Sequence, residues 1–227
     1  MLRFFGQPIF RATDYDNLPV SYELLIREQN SSDEAWHLPA DFSAITVDEL
    51  EPLLVATINA MPDYIERVGY NLEVDQFVNP AFIDMATRVQ HRVRVHMITE
   101  ITERPNPNVS ADELFEAARV YTKRGLAIVI DDVGIADNSL LRINLLRDFT
   151  EGYKFALQNL RPFTNVSCIK DTADMWGKLI SHDKLFAFEG IETKEEAEAV
   201  ATSCPYSFVQ GYFFGKPALL PMTGNVS

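Results

Sequence analysis

Short apolar runs alternate with amphipathic stretches along almost the whole chain, and that alternation leaves few folds open. The apolar runs fall at 2–11, 20–28, 70–74, 95–101, 126–133, 153–157, 185–191 and 208–212. Helical periodicity fills most of the gaps, at 48–68, 80–89, 111–123, 139–147, 172–181 and 194–202. In the first of these, Leu50, Leu53, Leu54, Ile58 and Met61 recur at helical steps and share one face. Ser110 with Glu113, and Thr193 with Glu196, have the spacing of capping boxes, and Gly125 follows Arg124 as a helix stop. Runs such as Leu126-Ala127-Ile128-Val129-Ile130 are apolar at every position, as strands buried on both faces are.

Strand–helix alternation implies parallel pairing. Eight strands in 227 residues favour an α/β, TIM-like (β/α)8 barrel over an open sheet. The first two strands are an exception, because only residues 12–19 separate them, too few for a helical crossover. The expectation is therefore a barrel variant with an antiparallel first strand, built as one domain over 1–227. The polar segment 29–44 reads as a loop or lid.

Polar residues interrupt the apolar runs in a particular way. Glu23, Asn71, Glu100, Asp131, Asp132, Glu189 and Gln210 lie inside or at the ends of strand candidates. Buried acids are costly unless positive charge lies between them. In a barrel of this type, chemistry collects at the carboxyl ends of the strands. Carboxylates and amides without histidine or cysteine favour a hard cation, Mg²⁺ or Mn²⁺. Adjacent Asp131 and Asp132 suit a pair of metals sharing one ligand, an arrangement fitted to phosphodiester hydrolysis. The competing reading is a set of salt bridges inside the barrel, with Lys154 paired to one of the acids.

Composition narrows the classes further. A net charge of −13 argues against long nucleic acids, which need a basic surface, but leaves room for a small anionic nucleotide on a metal. No apolar run approaches the roughly 18 residues of a membrane helix. The start, Met1-Leu2-Arg3-Phe4-Phe5, lacks the long apolar core of a signal peptide. A soluble, cytoplasmic protein is expected. Cys168 and Cys204 have no metal-binding spacing, and His37, His91, His96 and His182 read as structural or solvated. Trp36 and Trp176 read as packing residues.

Several local motifs then fall into a recognisable order. They are Gln7-Pro8-Ile9, Glu23-Leu24-Leu25-Ile26-Arg27, Glu100-Ile101-Thr102-Glu103, Asp131-Asp132-Val133-Gly134, Glu189-Gly190-Ile191-Glu192-Thr193 and the run from Gln210 to Pro217. Together they resemble the EAL domain, a phosphodiesterase domain that linearises cyclic di-GMP, over nearly the whole chain. The resemblance implies that Glu23, Asn71, Glu100 and Asp131 hold one metal, and that Asp131, Asp132 and Glu189 hold a second. It implies that Lys154 orients or activates the attacking water, that Gln210 sits beside it, and that Glu189 takes part in catalysis. Arg27 would contact a substrate phosphate, with Gln7 and Glu192 lining the substrate site. Glu103 would anchor the loop after Asp132. A homodimer is a further implication.

The chain also departs from the family pattern. Val133 replaces Phe, Ala136 replaces the second Gly of the catalytic loop, and Ala156 stands where the family has an Asp after the lysine. If position 136 needs positive φ, Ala136 strains the loop. Glu73, two residues after Asn71 on an expected strand, would point the same way and add an acid near the metals. The alternative to hydrolysis is a degenerate EAL domain that binds cyclic di-GMP, or a protein partner, without cleaving.

Overall fold

A computed structural model describes all residues except 32–33, 135, 137, 161–169, 172–174, 176–183, 205–206 and 224–227. Its elements in chain order are β1 (Leu2–Arg11), β2 (Ser21–Glu28), α1 (Val47–Ile58), β3 (Arg67–Leu72), α2 (Val74–Val78), α3 (Pro80–Gln90), β4 (His96–Ile101), α4 (Ala111–Lys123), β5 (Ala127–Ile130), α5 (Leu140–Leu146), β6 (Gly152–Ala156), β7 (Leu185–Glu189), α6 (Lys194–Ser203), β8 (Phe208–Val209) and β9 (Ala218–Leu219). Apart from Met175, the expected helix 172–181 lies outside the described residues, as do Cys168, Trp176 and His182.

Strands β2 to β8 pair in chain order, each parallel to the next. The β1 strand is antiparallel to both β2 and β8, and so closes the ring into a TIM-like α/β barrel. The short link 12–19 sets this arrangement: it can turn the chain back along itself but cannot carry it across a sheet face. The β9 strand then returns along β1 beside Phe5 and Gly6.

The helices pack their apolar stripes on the outside of the barrel. Leu50, Leu53, Leu54 and Ile58 of α1 are buried, as the periodicity requires. The helix stops at Ile58 and does not run on to 68. Pro62 disfavours helical geometry in the residue before it, and Met61 and Ile65 are buried from a loop. Helix α4 keeps its expected bounds, with Ser110 Oγ accepting from the Glu113 amide at its start and Gly125 at φ 70° past its end. Thr193 and Glu196 form the expected box at the start of α6. The short helix α2 is not visible in the hydropathy pattern; Phe77 holds it in place by stacking on Tyr121 of α4 with ring centroids 4.7 Å apart. No helix among the described residues is long and apolar enough to cross a membrane.

Candidate metal centre

Each strand that feeds the barrel mouth contributes one or two polar side chains to it. Glu23 lies on β2 opposite Gln7 of β1 and Gly69 of β3. Asn71 on β3 pairs with Glu100 on β4. Asp131 follows the last residue of β5, Lys154 lies on β6, and Glu189 ends β7 opposite Ala156. Gln210 follows β8. Period-two alternation aims these side chains inward, and closure of the barrel brings them together.

Lys154 is the hub. Its Nζ lies 2.5 Å from Glu189 Oε1, 2.7 Å from Glu100 Oε2, 3.3 Å from Asp131 Oδ1 and 3.4 Å from Glu23 Oε2. The lysine thus pairs with four acids and not with one. Asn71 Nδ2 donates to Glu23 Oε1 at 2.8 Å, and Gln210 Nε2 donates to Glu23 Oε2 at 2.6 Å and to Gln7 Oε1 at 3.0 Å. Gln7 is in turn tied to the Gly215 carbonyl at 3.2 Å.

One ammonium does not balance this many carboxylates. Burial, against the partial relief of Lys154, pushes Glu100 up to about 8 and Asp131 up to about 6, and raises Glu189 well above the usual carboxylate range. Burial also raises Glu23, but Lys154 and the amide donors of Gln210 and Asn71 outweigh it and hold Glu23 low. Burial pulls Lys154 down, yet the acids around it more than reverse that effect and keep it charged.

Two acid clusters emerge. Glu23, Glu100 and Asp131 form one, and Asp131, Asp132 and Glu189 the other, with the candidate ligand atoms of each cluster within 4.8 Å of one another. Asp131 belongs to both. The amide oxygens Asn71 Oδ1 and Gln210 Oε1 are buried without a hydrogen-bond partner, as acceptors facing a cation would be. The donor set is all oxygen, which fits hard divalent cations.

Two cavities meet over these acids, of about 270 Å³ and 390 Å³, and both are bordered by Glu23, Leu25, Asp131 and Asp132. Arg27 and Glu103 line the first, and Gln7, Glu192 and Gln210 line the second. Leu38 and Phe42, from the expected lid segment, form part of the first wall, and Trp36 packs against Phe5. Arg27 Nη1 donates to the Ile26 carbonyl at 2.8 Å.

The fold of the barrel can now be compared with known proteins. No protein-family model matches the chain, and no curated protein matches it. Solved structures do match. A "PaMucR" phosphodiesterase in complex with c-di-GMP superposes with a TM-score of 0.74 at 19% identity, over 96% of this chain and 92% of that one. An EAL-domain protein from Listeria monocytogenes EGD-e gives 0.73 at 18% identity, over 96% and 88%. The Bacillus subtilis YkuI protein, with an EAL domain and in complex with substrate c-di-GMP and calcium, gives 0.70 at 18% identity, over 96% of this chain and 55% of that chain. The chain therefore spans little more than half the length of the Bacillus protein. This chain has the EAL-domain fold.

Within the EAL fold, several positions differ from their sequence expectation. Glu73 does not join the acids. The β3 strand ends at Leu72, so Glu73 starts α2 and its carboxylate turns to Arg104 Nη1 at 2.6 Å and Thr102 Oγ1 at 3.4 Å. Ala136 stands at φ 42° and Asp132 at φ 43°, so the loop does hold an alanine in the left-handed region. Glu103 is half-buried and borders the first cavity together with Asp131 and Asp132. Asn138 and Arg142 also bond the ends of that loop, and nothing in the sequence marks either one. Gly69 is a third residue that the sequence does not mark: a Cβ there would lie 1.9 Å from Glu100 Oε1.

Proposed function

We propose that this chain hydrolyses cyclic di-GMP to linear pGpG, with Mg²⁺ or Mn²⁺ held by Glu23, Asn71, Glu100, Asp131, Asp132 and Glu189. The reading also takes 1–227 as one EAL-like barrel domain acting in the bacterial cytoplasm, with a homodimer as a possible assembly. The observation that carries it is the pair of acid clusters sharing Asp131 at the mouth of the barrel. Two divalent cations, when bound, supply Lewis acidity at the scissile phosphate and charge to balance it.

The chain's own residues supply the rest. Arg27, in the cavity beside Glu23, donates to a phosphate oxygen and orients the dinucleotide. Lys154 orients the water that attacks phosphorus, and Glu189 is the neighbouring acceptor for its proton. The phosphorus–O3′ bond breaks, the phosphate stays on the 5′ oxygen, and the departing 3′ oxygen takes up a proton. Gln210 and Gln7 fix the Glu23 side of the site through their amide chain, and Glu103 and Glu192 line the two cavities.

The test is incubation with cyclic di-GMP and either Mn²⁺ or Mg²⁺, followed by chromatography. Release of pGpG that EDTA and Glu23→Ala both abolish supports the reading. No turnover at micromolar enzyme over hours with either metal overturns it. Ala136 at φ 42° and Ala156 beside Glu189 favour a second reading, a cyclic di-GMP receptor that does not cleave. Calorimetric binding without turnover would select that one, and recovery of a protein partner with no nucleotide binding would point to a scaffold.

A further inference from the structure

We propose that Asn138 and Arg142 are positioning residues that set the place of Asp131 in the metal cage. The inference rests on the two-metal reading above. Asn138 is fully buried. Its Nδ2 donates to the carbonyl oxygen of Ile101 at 3.2 Å and to the carbonyl oxygen of Asp131 itself. Its Oδ1 accepts from Arg142 Nη1 at 2.8 Å, and the same nitrogen donates to the Thr102 carbonyl at 3.1 Å. The Asn138 carbonyl accepts from the Gly134 amide at 2.8 Å.

These contacts join three pieces of chain: the end of β4, the end of β5 and the start of α5. The Ile101 carbonyl already accepts from the Asp131 amide at 3.2 Å, and Asn138 adds a second donor to it; the Thr102 and Asp131 carbonyls lie past the strand ends and need donors if they are buried. Asn138 and Arg142 meet that need with side chains of fixed reach. In doing so they fix the backbone of Asp131, whose carboxylate is common to both acid clusters. A shift of that backbone moves one ligand of each site at once. On the other side of the loop the Val133 amide donates to the Lys154 carbonyl at 2.9 Å, so the segment is pinned from both flanks. Asp132, at φ 43°, lies between these pins.

The test is Mn²⁺ binding by the whole chain, followed by electron paramagnetic resonance of free Mn²⁺, with folding checked by circular dichroism. Asn138→Asp keeps the shape and the acceptor for Arg142, but sets an oxygen against the carbonyls of Ile101 and Asp131. It should weaken Mn²⁺ binding roughly tenfold, the scale of an outer contact to a metal ligand. Arg142→Lys retains a donor for both of its acceptors and should bind within about threefold of the unaltered chain, whereas Arg142→Met should lose about as much as Asn138→Asp. A folded Asn138→Asp chain that binds Mn²⁺ as the unaltered chain does overturns the proposal. If Asn138→Asp does not fold, the Arg142 pair decides, and equal affinities for Arg142→Lys and Arg142→Met overturn it. An unaltered chain that takes up no Mn²⁺ removes the two-metal reading and this inference with it; uptake that these variants leave unchanged removes this inference alone.

Discussion

The ammonium of Lys154 lies 2.5 Å from the carboxylate of Glu189, on the inner face of the barrel where β6 and β7 run side by side. The contact joins a catalytic candidate to a metal-ligand candidate, and it belongs to a cluster in which Glu100, Asp131 and Glu23 also face the same nitrogen. On the proposed two-metal reading, a charge imbalance so deep in the fold links stability to metal occupancy.

Removing the ammonium should expose that link. Lys154→Met leaves the buried acids without their cation, and loss of one partner from a buried pair costs roughly 3–5 kcal/mol. The variant should melt well below the unaltered chain in EDTA. Saturating Mn²⁺ should recover most of the difference, since cations take the place of the lost charge. The pH dependence has a definite sign. Glu100 and Asp131 titrate above their unfolded values, at about 8 and about 6, so they favour the folded state most below the unfolded value, and that contribution is lost as pH rises through the folded one. Lys154 lowers both groups, so its removal raises them further, the variant loses stability more steeply with rising pH, and the deficit of Lys154→Met in EDTA should be smaller at pH 6 than at pH 8. Melting curves that coincide with those of the unaltered chain in EDTA would show that the lysine balances nothing.

Gly69 makes a second prediction. It sits on β3 beside Glu23, and a methyl group there would collide with Glu100 Oε1. Glu100 is buried and held by Lys154, so it has little space into which to retreat. Gly69→Ala should weaken Mn²⁺ binding by roughly 10–100-fold, as a displaced ligand would. Titration calorimetry gives the affinity directly, and an unchanged value would mean that Glu100 does not hold the metal.

Much of this site could be read from the chain because strands and acids leave strong local marks. Glu23 and Asp131 are conspicuous as charges within or beside runs such as Ile128-Val129-Ile130, and only inward burial with a partner accounts for them. The apolar runs overshoot the strands because hydropathy reports burial and not hydrogen bonding. Val133 and Ile191 are buried although β5 ends at Ile130 and β7 at Glu189. Glu73 was misplaced for a related reason. Val74 to Val78 is compatible with continued strand; the Gln76 side chain, which accepts from the Glu73 amide and donates to the Phe42 and Ile45 carbonyls, and the stacking of Phe77 on Tyr121 select a helical turn there. Asn138 and Arg142 left no mark because their acceptors are backbone carbonyls, which every residue carries.

A pH prediction follows from the barrel's outer layer. Glu51 on α1 accepts from Arg88 Nε at 3.0 Å and Nη2 at 2.5 Å, and from Arg92 Nη1 at 3.1 Å, tying α1 to the end of α3. The Arg88 hydrogen bonds, and behind them the two guanidinium charges, hold Glu51 below the usual carboxylate range. A lowered folded value means that the stabilisation is present above the unfolded value of 4.5 and is lost as pH falls through the folded one. Glu51→Gln should cost about 1 kcal/mol at pH 7, the upper end for a surface ion pair whose arginines are exposed. The gap to the unaltered chain should narrow below about pH 4.5. Urea denaturation of both chains across that range is the check, and a gap that stays constant with pH would rule the carboxylate out as its source.

The loop after Asp132 offers the last test. Ala136 is held at φ 42°, where an L-residue with a Cβ is strained by roughly 1–2 kcal/mol. Glycine removes that strain but adds freedom to the unfolded chain, which returns roughly 0.5–1 kcal/mol. Ala136→Gly should therefore stabilise the protein by about 0.5–1 kcal/mol, read as a higher urea midpoint at unchanged slope. The same change bears on turnover, because Asp132, at φ 43°, is carried by the same loop. If strain at position 136 tilts that loop away from the second acid cluster, the glycine variant should release pGpG several-fold faster than the unaltered chain at saturating Mn²⁺. A higher midpoint with no gain in rate would place the limit elsewhere, with Ala156 beside Glu189 the next residue to change. A lower midpoint would contradict the strain itself, since relief at φ 42° is the one gain the substitution offers.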